Sequence, residues 1–490
     1  MDSASHLGPR QYDTGRSRLD SDKYGMTSKT HLGYNFLYCS HIIMIADFNN
    51  TVNFIYSLQK HGIKLGLANI TKLMNILGEP HNSFHSVHVA GTNGKGSTST
   101  AIASILMENG FKVGLFTSPH LVSFAERIRI NNLRIAESEV IEIASMIHGS
   151  IAGTELNPTF FEFVTAMAFY YFAQSNVDWA VIETGMGGRL DATNVILPQV
   201  SIITNISLDH CEFLGDNISD IAFEKAGIIK PGVPVITSSG DPEAVKQLSD
   251  TSCKCNSKIH IYDKDFKGAL LFMDDKQTTF NYNGYKNYNA LSIPLSGKYQ
   301  LYNACTAVRA CEILREKGFS ISDESIRQGL LNVSIEGRLE CVSDSPPIFI
   351  DGAHNPDAAH SLADSVKTLF PDKKVILIVG IMDDKDIKGI LNPLVRISEF
   401  IILTKPKYER AALPEKLEKN IMGFEGIHAS VMSTDTVYDA IELAKTHCRE
   451  NNIILVTGSF YTAGEVKEIF GCSGILSTLR EQVRSEDVKK

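Results

Sequence analysis

The chain has 490 residues, enough at ~150 per domain for about three units or two large ones. Asp plus Glu number 56 against 47 Lys plus Arg, and the net charge of −9 argues against a nucleic-acid backbone as partner. Hydrophobic residues make up 43% and charged residues 21%, and the nine cysteines are scattered without Cys-x-x-Cys spacing, which excludes a membrane enzyme and a zinc site and points to reduced thiols in the cytoplasm.

The first 43 residues are polar and irregular, and Asp2, Asp13, Asp20 and Asp22 argue against a transit peptide. Residues 1–43 read as a disordered or non-native extension. Helical periodicity opens at Phe48 and runs to Leu58. From Val87 onward, short Val/Ile-rich runs alternate with amphipathic stretches. Val87–Val89, Val113–Phe116, Trp179–Ile182, Val200–Ile206 and Val233–Thr237 read as buried strands, and that alternation predicts a mostly parallel sheet with helices on both faces. The Lys/Asp/Asn/Gly-rich stretch from Asp263 to Asn289 loses the period and reads as antiparallel hairpins. The α/β pattern then returns at Phe349–Ile350, Val375–Val379, Phe400–Leu403 and Ile453–Val456, enough for a second, Rossmann-like sheet. The expected division is 44–337 for a central domain and 338–490 for a C-terminal α/β domain.

Ala90-Gly91-Thr92-Asn93-Gly94-Lys95-Gly96-Ser97 falls between a strand and a helix reaching about Gly110. Its glycines let backbone N–H groups converge on an anion, the helix N-terminus adds positive charge, and Lys95 can neutralise a β or γ phosphate oxygen. Gly94, Lys95, Gly96 and Ser97 are therefore candidate nucleotide-binding residues. The loop is not a strict Walker A, because the first glycine of that pattern would fall at Val89.

This loop resembles that of the Mur ligase superfamily, specifically its folate branch, the dihydrofolate and folylpolyglutamate synthases. Further similar motifs follow in order: Thr117-Ser118-Pro119-His120-Leu121, Phe160-Phe161-Glu162-Phe163, Glu183-Thr184-Gly185-Met186-Gly187-Gly188-Arg189-Leu190-Asp191-Ala192-Thr193-Asn194, Ser207-Leu208-Asp209-His210, Glu224-Lys225-Ala226-Gly227, Asp351-Gly352-Ala353-His354-Asn355-Pro356 and Thr457-Gly458-Ser459-Phe460-Tyr461. The likeness spans about Asn53 to Glu468. The overall pattern is most similar to the bacterial, bifunctional type.

What the resemblance implies is an ADP-forming amide ligase that joins L-glutamate to dihydropteroate and to folates through an acyl phosphate. Lys95, His210 and Lys225 are the implied catalytic residues, Lys225 as a lysine that CO₂ carbamylates. Glu183 and Ser118 are implied Mg²⁺ ligands, with Ser97 a further candidate and His210 the ligand of a second Mg²⁺. Asn303 is implied at adenine, Arg338 at the phosphates and Asp351 at the ribose. Leu65, Thr159, Phe161, Asp191 and Ala192 are implied for the pterin, and His354 and Ser459, with Lys385, for the incoming glutamate. Where the family has a proline, this chain has Glu336. Implied partners are small molecules only, with neither nucleic acid nor membrane, and the chain is read as a cytoplasmic monomer. Alternatives that stay open are a ligase restricted to one of the two steps and a nucleotide-binding interaction protein that has lost turnover.

Overall fold

In a computed structural model of the chain, residues 47–62 and 66–472 are described. The expectation for residues 1–43 lies outside them, as does Leu65. Seventeen strands are present among the described residues: β1 (His85–Ala90), β2 (Val113–Phe116), β3 (Ile128–Ile130), β4 (Leu133–Arg134), β5 (Trp179–Glu183), β6 (Val200–Ile203), β7 (Val235–Thr237), β8 (Ile259–Ile261), β9 (Lys267–Met273), β10 (Thr278–Asn283), β11 (Asn287–Ile293), β12 (Glu340–Asp344), β13 (Pro347–Ile350), β14 (Lys374–Val379), β15 (Ser398–Leu403), β16 (Ser430–Ser433) and β17 (Asn452–Thr457).

The first eight form one sheet in the order β4-β3-β2-β5-β1-β6-β7-β8. β2, β5, β1, β6, β7 and β8 run parallel, and only the β3/β4 ribbon is antiparallel. The inner strands are buried on both faces, which is why they read as unbroken apolar runs rather than as alternation. On one face, Val87, Val89, Val181 and Ile202 pack with the helices Lys95–Glu108 and Lys298–Glu316. On the other, Phe116, Ala180 and Ile182 pack with Phe48–Ser57, Glu137–Ile151 and Phe160–Gln174. The small sheet β11-β10-β9 is antiparallel and lays Phe280, Tyr282 and Leu291 into the first of these cores.

The C-terminal sheet has the order β12-β13-β17-β14-β15-β16, parallel except for the edge hairpin β12/β13. Leu121 and Val122, from the loop after β2, are part of its core together with Ile348 and Val456. The two layered bodies are thus joined by burial as well as by the chain.

Some strand limits differ from the sequence expectation. β6 stops at Ile203 rather than Ile206; Thr204 still gives its N–H to the Ala90 carbonyl at 2.9 Å, while its hydroxyl donates to the Asn93 carbonyl at 2.7 Å. β7 opens at Val235 rather than Val233, and the antiparallel sheet runs on to Ile293 rather than Asn289. The ribbon β3/β4 gave no sequence signal, being two short strands, of three and two residues, with both residues of β4 exposed.

Candidate active site

β1 has β5 on one side and β6 on the other, and the chain leaves it in a different direction from each neighbour. Such a switch point opens a crevice at the carboxyl ends of the strands. Here the crevice is a cleft of about 1280 Å³ lined from the central sheet by Lys95, Glu183, His210 and Lys225 and from the C-terminal sheet by Arg338, Asp351, His354 and Lys385.

The phosphate loop follows β1. Gly91 and Gly94 have positive φ, and a Cβ on them would come within 1.9 Å of Thr204 Oγ1 and 2.3 Å of Asn303 Oδ1; no other residue type fits there. Lys95, the first residue of the helix Lys95–Glu108, folds its Nζ back onto the carbonyl oxygens of Gly91 and Thr92, each at 3.1 Å. Ser97 follows in the first turn and lines the cleft with Ser118. Asn303 is buried beside Gly94, its Nδ2 donating to Gln300 Oε1 at 3.0 Å.

Glu183 ends β5 and is only 3% exposed. Its Oε2 accepts the Ser118 backbone N–H at 3.1 Å and lies 3.6 Å from a Cβ built on Gly96, so the carboxylate stands beside the helix N-terminus. Burial pushes the carboxyl up, opposed by Lys95, the Ser118 N–H and Arg338. Glu183 with the Ser97 and Ser118 hydroxyls makes a set of hard oxygen donors. Among the described residues no three His, Cys, Asp or Glu side chains converge as a metal cage. One carboxylate and hydroxyls fit Mg²⁺ nonetheless, since that ion keeps several waters and shares substrate phosphates.

His210 begins the short helix Cys211–Leu214 in a left-handed conformation, with φ of 52°. Partial burial pulls its imidazole down to about 4 against the opposing pull of Asp209. Lys225 lies at the end of the helix Ile218–Ala226 and is buried. Desolvation, then Lys95, lowers its ammonium to about 7.

On the opposite wall, Arg338 stacks its guanidinium 4.8 Å from the Phe460 ring centroid. Asp351, at the end of β13, is 4% exposed and already accepts the N–H groups of Leu339 at 2.9 Å and Ala353 at 2.8 Å. Asp209, next to His210, joins the walls. It accepts from Lys385 Nζ at 2.6 Å and Asn355 Nδ2 at 3.1 Å, with His354 Nε2 at 3.6 Å. Burial alone would raise Asp209, but His354, His210 and Lys385 around it outweigh that and hold the carboxylate far below its ordinary range.

Of the residues expected at the pterin, Phe161 lies against Gly185. The Phe161 ring is so close to Gly185 that a Cβ there would come within 2.5 Å. Asp191 accepts the Met186 N–H at 2.9 Å and caps the turn Ala192–Val195. Thr159 caps Phe160–Gln174 in a reciprocal pair with Glu162. Thr159, Asp191 and Ala192 are each under a tenth exposed, so capping already occupies the polar atoms of the first two. Ser459 is likewise a buried cap, bonded to Thr462, and its neighbour Phe460 reaches the cleft instead. Asp357, Asn205 and Tyr299 also line the cleft and carried no sequence signal beyond the helix start at Asn355-Pro356.

Comparison with known proteins gives two family matches, the Mur ligase middle domain over residues 89–311 and the Mur ligase glutamate ligase domain over 337–460. The chain is 33% identical over 436 residues to the dihydrofolate synthase/folylpolyglutamate synthase of Bacillus subtilis, covering 87% of this chain and 99% of that one. Among solved structures it superposes on a Mycobacterium tuberculosis folylpolyglutamate synthase complexed with ADP with a TM-score of 0.81, at 30% identity, covering 87% of this chain and 100% of the other. An Escherichia coli FolC in complex with DHPP and ADP gives a TM-score of 0.77 at 31% identity, covering 86% and 97%.

Proposed function

Because this chain belongs to the dihydrofolate synthase/folylpolyglutamate synthase branch of the Mur ligase family, we propose that its cleft joins L-glutamate to 7,8-dihydropteroate, and to folates, at the expense of ATP. It is an ATP-dependent, ADP-forming folate ligase. The observation that carries the reading is the shared cleft: a lysine-bearing phosphate loop and the buried Glu183 on adjacent strands, faced by Arg338 and His354 from the second sheet.

A carboxylate is a poor acyl donor, so it must be activated. A carboxylate oxygen of dihydropteroate attacks the γ-phosphorus of ATP, the bond to the β-γ bridging oxygen breaks, and an acyl phosphate and ADP result. The deprotonated glutamate nitrogen then attacks the acyl carbon, and phosphate leaves as the amide forms. Two anions must meet in the first step; at 4 Å and an effective dielectric of ~20, unit like charges repel by about 4 kcal/mol. Lys95 and Arg338 supply fixed positive charge where they meet. Lys95 is freed from its loop carbonyls when the γ-phosphoryl group takes their place. Asn303 would meet adenine, Asp351 the ribose, and His354 with Lys385 a carboxylate of the incoming glutamate.

Glu183, Ser118 and Ser97 would hold one Mg²⁺, and His210 a second beside Lys225. When bound, Mg²⁺ supplies neutralisation of the β and γ oxygens. The lowered Lys225 keeps a large neutral fraction near pH 7, the form that CO₂ can carbamylate. Gly185 presents one wall to the pterin, with Phe161 and Asp191 behind it and Thr159, Ala192 and Leu65 in the same reading. The division into a central domain 44–337 and a C-terminal domain 338–490 is supported by the two sheets. A cytoplasmic monomer is supported by scattered thiols and by one chain supplying every residue above; no helix among the described residues is long and apolar enough to cross a membrane.

Incubation with ATP, Mg²⁺, glutamate and dihydropteroate should yield dihydrofolate by mass spectrometry, and tetrahydrofolate should gain glutamates under the same conditions. Product from only one acceptor would mark a single-step ligase. Product from neither, with ATP consumed regardless, would refute the reading.

A further inference from the structure

A knot of side-chain amides, distinct from the residues assigned to substrates, ties the phosphate loop to the opposite wall. Asn93 donates its Nδ2 to Asp357 Oδ2 at 2.8 Å and to Asn355 Oδ1 at 3.2 Å, and accepts Asn355 Nδ2 at 3.0 Å. Asn205, in the loop after β6, donates its Nδ2 to the same Asp357 oxygen at 2.9 Å. Its Oδ1 accepts the backbone N–H of Asn93 at 3.0 Å. Asp357 sits in the first turn of the helix Pro356–Leu369, where a carboxylate is favoured by the helix dipole.

One oxygen of one carboxylate therefore fixes two amides of the central wall. One belongs to the phosphate loop, and the other sets the direction of that loop's backbone at Asn93. Neither amide can keep this partner if the C-terminal wall withdraws, because Asp357 and Asn355 leave with it. We propose that Asp357 is a positioning residue: it couples docking of the C-terminal wall to the shape of the phosphate loop, so that nucleotide is held tightly only when the two walls meet. The proposal rests on the reading above in one respect, that this loop binds a nucleotide. Asp357 itself touches no reacting atom in the scheme.

The probe is ADP with Mg²⁺, titrated calorimetrically into the full chain, alongside KM for ATP and kcat. Hydrogen bonds to a charged group are worth enough that Asp357→Ala should weaken ADP and raise KM for ATP by about tenfold. Asp357→Asn, which keeps an oxygen that can accept both amides, should recover most of the loss. Asn205→Ala should act in the same direction, and adding it to Asp357→Ala should cost little more, since both remove one clasp. Unchanged ADP affinity in Asp357→Ala, or losses that simply multiply in the double variant, would overturn the proposal. Should Asp357→Ala fail to fold, Asn205→Ala and Asp357→Asn decide the matter: wild-type affinity in the former, or the full loss in the latter, counts against it. A wild-type chain that binds ADP but turns over no pteroate would sink the substrate reading and leave the clasp standing. Turnover with a clasp-independent ADP affinity would do the reverse.

Discussion

Two clusters of opposite charge bridge the halves of this molecule, one in the cleft and one at the hinge, where the chain crosses between the two sheets near Glu336, and their distances alone would rank them as equals. In the cleft, Asp209 grips Lys385 at 2.6 Å, with side-chain exposures of 8% and 13%. At the hinge, Glu336 takes Arg134 at 3.0 Å and Lys467 at 2.8 Å; Arg134 and Glu336 are 44% and 40% exposed, and the buried Lys467 keeps Glu340 at 2.9 Å as a second partner. Burial separates them. A desolvated charge that loses its partner has no water to turn to, whereas an exposed pair trades its partner for solvent at little cost. The cleft is where substitution should hurt.

The largest effect is expected at Lys95. Lys95→Ala should lose about 10²–10³ in kcat, the usual cost of deleting one preorganised charge-stabilising donor, with an unaltered thermal midpoint; near-normal turnover from a folded variant would break the contrast. Next comes Asp209→Asn, which frees Lys385 and His354. Taking ~1.5–3 kcal/mol per charged hydrogen bond, the glutamate KM should rise by about 10–100-fold, more than the KM for ATP. A uniform loss in both would mean that Asp209 organises the whole cleft rather than its C-terminal wall.

Lys225 is a smaller, pH-dependent case. Carbamylation needs the neutral amine, and the folded ammonium titrates at about 7. For enzyme stripped of CO₂, recovery at a fixed dissolved CO₂ should be roughly tenfold faster one pH unit above that value than one below, with intact-protein mass rising by one CO₂. A flat profile would remove the carbamate. Least is expected from Glu336→Ala: about 0–1 kcal/mol of stability, shrinking further in salt. Although burial opposes it, Lys467 holds Glu336 below the usual carboxylate range. The bridge is therefore intact at neutral pH and is lost as acid takes the pH through that lowered value. A large, salt-insensitive loss would put the hinge on a par with the cleft.

The parallel core was legible because strands buried on both faces leave unbroken Val/Ile runs, as in Trp179–Ile182 and Val375–Val379. The phosphate loop was legible because its chemistry is local: glycines, a lysine and a helix start within eight residues. β3/β4 was not, since β3 is only three residues, too short for its alternation to stand out, and β4 is two exposed ones. Asp357 and Asn205 escaped for a different reason. Their meaning exists only where two sheets meet, and nothing near Asp357 in the sequence separates a clasp from an ordinary first-turn acid. Thr159, Asp191 and Ser459 show the converse, residues expected at substrates whose polar atoms are spent on capping in the folded chain.

The claim beneath all of this is that the cleft activates a pteridine-linked carboxylate by phosphorylating it. Dihydropteroate labelled with heavy oxygen in its carboxylate tests that directly, by mass analysis of the phosphate released in the presence of ATP, Mg²⁺ and glutamate. Transfer of one labelled oxygen to phosphate for each amide formed is the expected result; amide product accompanied by phosphate free of label would contradict it.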